Sequence, residues 1–113
     1  MAISKQTTSL DMPWEKEFGY AQAVKVGDTI YLSGQVSHDD TGNIVGRGDM
    51  EAQVRQSYIN IAKVLAQYGA TMDNIVDEVW FVTDMEAAFA AAVTQRFEKA
   101  WARADVQLAA SRF

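Results

Sequence analysis

The sequence predicts an α+β domain in which a mixed, mostly antiparallel sheet carries two helices on one face. Three observations lead there. Tyr20 to Val36 reads as two strand-forming runs joined by Gly27-Asp28, a turn dipeptide that accepts positive φ. Two later segments, opened by Asp49 and by Asp84, repeat apolar residues at helical spacing. Between them lies Ile75-Val76-Asp77-Glu78-Val79-Trp80-Phe81-Val82-Thr83, rich in β-branched and aromatic residues.

In chain order, residues 1–12 are polar, have few apolar anchors and lack a helical period, so a flexible arm is expected. Pro13-Trp14-Glu15 holds the only proline, and Trp14 and Phe18 are expected to pin the arm to the body. In the hairpin's second strand Ile30, Leu32, Gly34 and Val36 share one side and Tyr31, Ser33 and Gln35 the other. Gly34 sits where a bulkier side chain would pack better, which marks a point where a ligand or another backbone comes close. His38-Asp39-Asp40-Thr41-Gly42-Asn43 is a run of turn formers that reverses the chain, read as a solvated turn in preference to a metal site.

Asp49 is a suitable N-cap, and Val54, Tyr58, Ile61, Leu65 and Tyr68 form one helical face that Gly69 ends. The run 75–83 has apolar residues on both sides, which predicts a strand covered on both faces. Asp84 caps a further helix whose Phe89, Val93, Phe97, Ala100 and Trp101 make a second stripe. Val106-Gln107-Leu108 is able to start a last short strand pairing at the sheet edge. Two helices cover only one face of such a sheet, so the other is expected to be buried by association of subunits.

The 113 residues suit one domain. The longest apolar run is far below the roughly 20 residues that span a bilayer, and no signal-peptide core opens the chain, so a cytoplasmic protein with no membrane partner is expected. Zero cysteines and a single histidine leave out thiolate chemistry, disulfides and the usual metal cages. A net charge of −5 with scattered basic residues works against nucleic acid as a partner. No phosphate-binding loop or hydrolase triad is present in the 113 residues.

Several short motifs, in order, resemble one family. Gly19-Tyr20-Ala21-Gln22-Ala23-Val24, Val26-Gly27-Asp28, Leu32-Ser33-Gly34-Gln35, Gly42-Asn43-Ile44-Val45-Gly46, Asp49 to Gln56, Gly69-Ala70 and Val82-Thr83-Asp84-Met85 are similar to the RidA/YjgF (Rid) family over roughly residues 13–101. The resemblance implies a chorismate-mutase-like (ferredoxin-like) fold assembled as a homotrimer, with ligand clefts between subunits. It also implies hydrolysis of reactive enamines and imines to 2-keto acids and ammonia, without a cofactor. On that basis Tyr20 is a cleft phenol and Ser33 a hydroxyl donor, the two catalytic candidates. The Gly34 N–H and Thr94, which stands where many members have asparagine, are the substrate-binding candidates.

The chain departs from the family at its end. Active members carry an arginine in a Pro-Ala-Arg-Ser type segment and a glutamate on the last strand. Here Asp105 aligns with the arginine and the final strand is expected to be missing. An anion there repels a carboxylate substrate, and Arg103 and Arg112 are the remaining cations of the tail. Pro13-Trp14-Glu15 resembles a subgroup often lacking the arginine. Two functions therefore stand from sequence, an imine deaminase and a non-catalytic trimer binding a small metabolite. Ribonuclease action, an older label of the family, is disfavoured by the acidic charge.

Overall fold

The computed structural model describes residues 3–94. Its sheet has three antiparallel strands in the order β1 (Gln6–Thr8), β2 (Ala23–Val26) and β3 (Thr29–Leu32). Three α-helices accompany it: α1 (Pro13–Phe18), α2 (Met50–Ala66) and α3 (Met85–Ala92), with a 3₁₀ turn at Met72–Asn74. The α+β class is as expected, but the sheet is antiparallel throughout the described residues and there is one more helix than the pattern predicted.

The first correction concerns the arm. Gln6, Thr7 and Thr8 pair with Lys25, Val24 and Ala23, which makes part of residues 1–12 an edge strand. The polar side chains conceal this, because what holds β1 is largely backbone bonding from distant elements. The Tyr68 hydroxyl donates to the carbonyls of Gln6 (2.9 Å) and Ala23 (3.2 Å), and the Gln67 amide donates to that of Ser9 (2.9 Å).

Next, α1 forms where only a lead-in was expected. Proline at the first helical position costs no hydrogen bond there, and the Glu15 carboxylate reaches back to the Met12 N–H at 2.9 Å, half of a capping box. Gly19, with left-handed φ, closes the helix. Trp14 packs edge-on against His38, with ring centroids 5.2 Å apart, so it is a staple as expected. Phe18 is not, being 73% exposed at the last position of α1.

The hairpin is present, with Gly27 at φ 58° and Val26 opposite Thr29. After it, Asp39 organises the predicted turn by accepting from the Thr41 hydroxyl and from the N–H groups of Thr41 and Asn43, all within 2.9 Å. These bonds, led by the Thr41 hydroxyl, hold its carboxyl below the ordinary value.

Asp49 caps α2 through the Ala52 N–H, and Asp84 caps α3 through the Ala87 N–H. The two helices pack together, and Tyr58, Val64, Leu65, Ala88 and Ala91 form the core on them. Asn60 joins this buried face although it is polar. Its amide donates to the carbonyls of Val36 (2.9 Å) and His38 (3.0 Å), fastening the loop after β3 onto α2.

The segment 75–83 is the largest departure. It is not a strand in this structure, and Val76 (98% exposed) and Phe81 (94%) project into solvent. A strand needs a neighbour to satisfy its outward N–H and C=O groups, and no described segment pairs with this one. Side chains hold it instead. Tyr58 donates to Glu78 at 3.1 Å and its ring meets Trp80 edge-on. Likewise Phe89 and Val93 of the second stripe are exposed, and small Ala88 and Ala91 make the close contact. Phe97, Ala100, Trp101, Arg103, Asp105, the Val106–Leu108 strand and Arg112 lie outside the described residues.

Candidate functional site

Ser33 continues the β2–β3 ladder past the last paired residue, its N–H donating to the Gln22 carbonyl at 2.9 Å. The hydroxyl donates to the Ala21 carbonyl at 2.6 Å. This alters the expected role: the Ser33 proton is committed to the backbone, so toward a ligand the oxygen offers lone pairs, as an acceptor. Tyr20 precedes Ala21. Its backbone N–H is tied to the Glu15 carbonyl at 3.0 Å, while its side chain is 38% exposed and the phenol has no bonded partner among the described residues. Gly34 is exposed, open space surrounds the position a Cβ would take, and its N–H is also unpartnered among the described residues.

The strand-end ladder thus sets the backbone of Ala21 and Gln22, which follow Tyr20, against Ser33, which precedes Gly34, and the Tyr20 phenol and Gly34 N–H take no hydrogen bond among the described residues. Thr94 is not shown to join them. It lies just beyond α3, where its hydroxyl donates to the Ala90 carbonyl at 3.3 Å, and among the described residues no hydrogen bond links it to the other three.

Beneath this group runs a buried polar network that sequence reading missed. Glu15 (7% exposed) accepts from the N–H groups of Leu10 (3.1 Å) and Met12 (2.9 Å). Burial opposes its ionisation, but the bonds from Met12, the Gln22 and Ser9 side chains and Leu10 outweigh that cost and hold the carboxyl below its ordinary value. Gln22, 2% exposed, accepts from the Gln35 amide at 2.9 Å, and that amide also donates to the Ser33 carbonyl at 3.2 Å. The network therefore ties α1 to the backbone of Ser33. One signal was legible: proline followed two residues later by glutamate is a helix-start pattern, which places Glu15 where it can turn back onto the chain.

A separate open groove of about 630 Å³ lies between α1, the loop after β3 and the start of α2, lined by Trp14, Val36, His38, Ile44, Arg47 and Gln53 among others.

Comparison with known proteins follows the same lines. The family model described as Endoribonuclease L-PSP matches residues 14–112. The RutC family protein YjgH of Escherichia coli is 35% identical over 82 residues, covering 73% of this chain and 61% of that protein. A 2-iminobutanoate/2-iminopropanoate deaminase of Dermatophagoides farinae is 37% identical over 57 residues, half of this chain and 44% of that protein. The crystal structure of Rv2704 from Mycobacterium tuberculosis, described as a member of the YjgF/YER057c/UK114 family, superposes with a TM-score of 0.66 at 26% identity, over 80% of this chain and 73% of that one. The chain spans 52% to 61% of the length of the first curated relatives it matches. A match over nearly the whole sequence, together with the shared fold, means that this chain belongs to the Endoribonuclease L-PSP family, that of RidA and YjgF.

Proposed function

We propose that this protein hydrolyses small, reactive 2-imino acids and their enamine tautomers, releasing a 2-keto acid and ammonia. The observation that supports the reading is the Ser33 hydroxyl bonded to the Ala21 carbonyl, next in sequence to Tyr20, while the Tyr20 phenol and the Gly34 N–H take no hydrogen bond among the described residues; the reading brings these three groups together around the substrate. Family relatives named 2-iminobutanoate/2-iminopropanoate deaminase, in Dermatophagoides farinae and Mus musculus, supply the substrate class.

In this reading the imine carbon is attacked by water held between the Ser33 oxygen and the Tyr20 phenol. The C–O bond forms as the C=N π pair moves to nitrogen, which takes a proton from the Tyr20 phenol while the attacking water returns one to it. The resulting carbinolamine passes its hydroxyl proton to the amino nitrogen, and the C–N bond breaks as ammonia leaves and the carbonyl forms. The Gly34 N–H meets the substrate carboxylate or the developing negative charge, and Thr94 completes the binding side in an assembled cleft. No cofactor is required, because an imine is already electrophilic and the site has only to position water and assist one proton transfer. The cleft is proposed to lie between subunits of a homotrimer, buried through the apolar segment 75–83.

The test is ammonia release from freshly generated 2-iminopropionate. Tyr20→Phe is expected to lower the rate by about 10²-fold, the usual scale of a positioned proton donor. A wild-type rate equal to the buffer control leaves the second reading, a binding protein that does not turn its ligand over. The observation favouring that reading is Asp105, an anion at the position aligned with the family's carboxylate-binding arginine.

A further inference from the structure

The groove between α1 and the start of α2 contains none of the residues invoked above. Part of its wall is apolar: Val36 and Ile44, both largely exposed, share the lining with the half-buried indole of Trp14, alongside the polar Ser37, His38 and Gln53. Arg47 stands on its lining, exposed, and makes no ion pair or hydrogen bond among the described residues. Among the described residues no carboxylate lines the groove. The nearby acids are occupied elsewhere, Asp39 by Thr41 and Asn43 and Asp49 by the Ala52 N–H.

The groove is also built rather than incidental. Gly42 has φ +86°, and a Cβ there would lie 3.1 Å from Cζ3 of Trp14, so glycine is what admits the indole. On the other side, His38 is 5% exposed and edge-on to the same indole. Its Nδ1 lies 2.9 Å from the Asp39 carbonyl, which only accepts, so Nδ1 carries the proton. The His38 carbonyl receives the amides of Gln56 (3.1 Å) and Asn60 (3.0 Å), anchoring the loop to α2. Gly46, at φ +77°, brings the chain so close to α2 that an added Cβ would meet that of Ala52 at 2.7 Å. The Gln53 amide donates to the Gly46 carbonyl at 2.7 Å, holding the backbone from which Arg47 projects.

We propose that this groove is a binding site for a small monocarboxylate with an apolar, aryl or branched-alkyl body. The apolar part lies against Trp14, Val36 and Ile44, and the carboxylate takes the Arg47 guanidinium. An arginine fork matches a carboxylate in two parallel hydrogen bonds, and a lone guanidinium balances one negative charge. Polyanions are disfavoured, because Arg47, the one Lys or Arg on the described lining, does not offset several negative charges in a chain of net charge −5.

The experiment is a ¹H–¹⁵N titration of the full chain with sodium phenylacetate and, in parallel, with neutral phenylacetamide. Saturable shifts are expected at the Trp14 indole N–H and the amides of Gly42, Ile44 and Gly48. For a ligand of this size binding is expected at about millimolar concentration. Arg47→Gln, at an exposed position the fold does not use, should weaken phenylacetate by about tenfold, on the scale of a charge-assisted bond, and leave phenylacetamide nearly unchanged. Trp14→Leu should weaken both. The proposal is overturned if phenylacetate produces no saturable shifts, if the shifts centre on Tyr20 and Gly34, or if Arg47→Gln binds phenylacetate as the parent does. The deaminase reading is judged separately by ammonia release, so each can fail while the other stands.

Discussion

Glu15 shows how much one residue decides here. A buried carboxylate is costly unless its lone pairs are filled, and this one is filled by backbone N–H groups and neighbouring side chains. Its pKa is depressed in the folded state, so its contribution is fully present above the ordinary glutamate value and is lost as pH falls through the folded one. Thermal melts from pH 7 downward should therefore show a decline in Tm that begins as the pH drops below about 4.5 and continues beneath it, and Glu15→Gln should flatten that decline. At pH 7 the same substitution should cost about 1.5–3 kcal/mol by chemical denaturation, since hydrogen bonds to a charged group are lost. A steeper acid decline in the variant than in the parent contradicts the assignment. Tyr20 is the opposite case, since its phenol holds nothing together; Tyr20→Phe should leave Tm unchanged while lowering any imine hydrolysis.

At the scale of elements, side chains reaching backbone carbonyls do the joining that helix–sheet packing does in larger folds. Tyr68 bridges β1 and β2 through the carbonyls of Gln6 and Ala23. Removing its hydroxyl in Tyr68→Phe should cost about 0.5–1.5 kcal/mol and speed hydrogen exchange at the β1 amides before those of α2. Unchanged protection at Gln6 and Thr8 would show that β1 is held by its ladder alone. Asn60 does the equivalent for the loop after β3. Asn60→Ala takes one of two donors from each of the Val36 and His38 carbonyls, which keep the His38 N–H and the Gln56 amide, and a loss of about 1–3 kcal/mol in denaturant melts is expected for the two bonds. The helix starts were legible in advance because capping is local: Asp49 and Asp84 each bond an N–H three residues on. β1 was not, because Gln6-Thr7-Thr8 is a strand only by virtue of Lys25, Val24 and Ala23, far along the chain.

For the whole molecule, the exposed apolar residues of 75–83 and of α3 set the expectation. Val76, Val79, Phe81, Met85 and Phe89 are each at least 62% exposed, on two consecutive segments. Apolar surface gathered in this way favours association at roughly 25 cal/mol per Å² buried. Light scattering should thus give a mass above that of one chain, three chains in the proposed assembly. Phe81→Lys combined with Val79→Lys should shift it toward the monomer without disturbing the Tyr58–Leu65 core. A monodisperse monomer for the parent would remove the inter-subunit cleft from the proposed function.

The amino-acid order alone determined what local physics governs. The Gly27 hairpin, the aspartate-capped helices and the Asp39 turn follow from turn chemistry, capping and periodicity within a few residues. Only the tertiary structure decided that the Ser33 proton goes to Ala21, that Glu15, Gln22 and Gln35 form the buried support, that Trp14 and His38 wall a groove beside Arg47, and that 75–83 lies unpaired. Each of those depends on which distant group stands within hydrogen-bonding or van der Waals reach. The alternation of residues along a strand specifies its two faces, but whether anything lies beside or against them is a property of the folded chain.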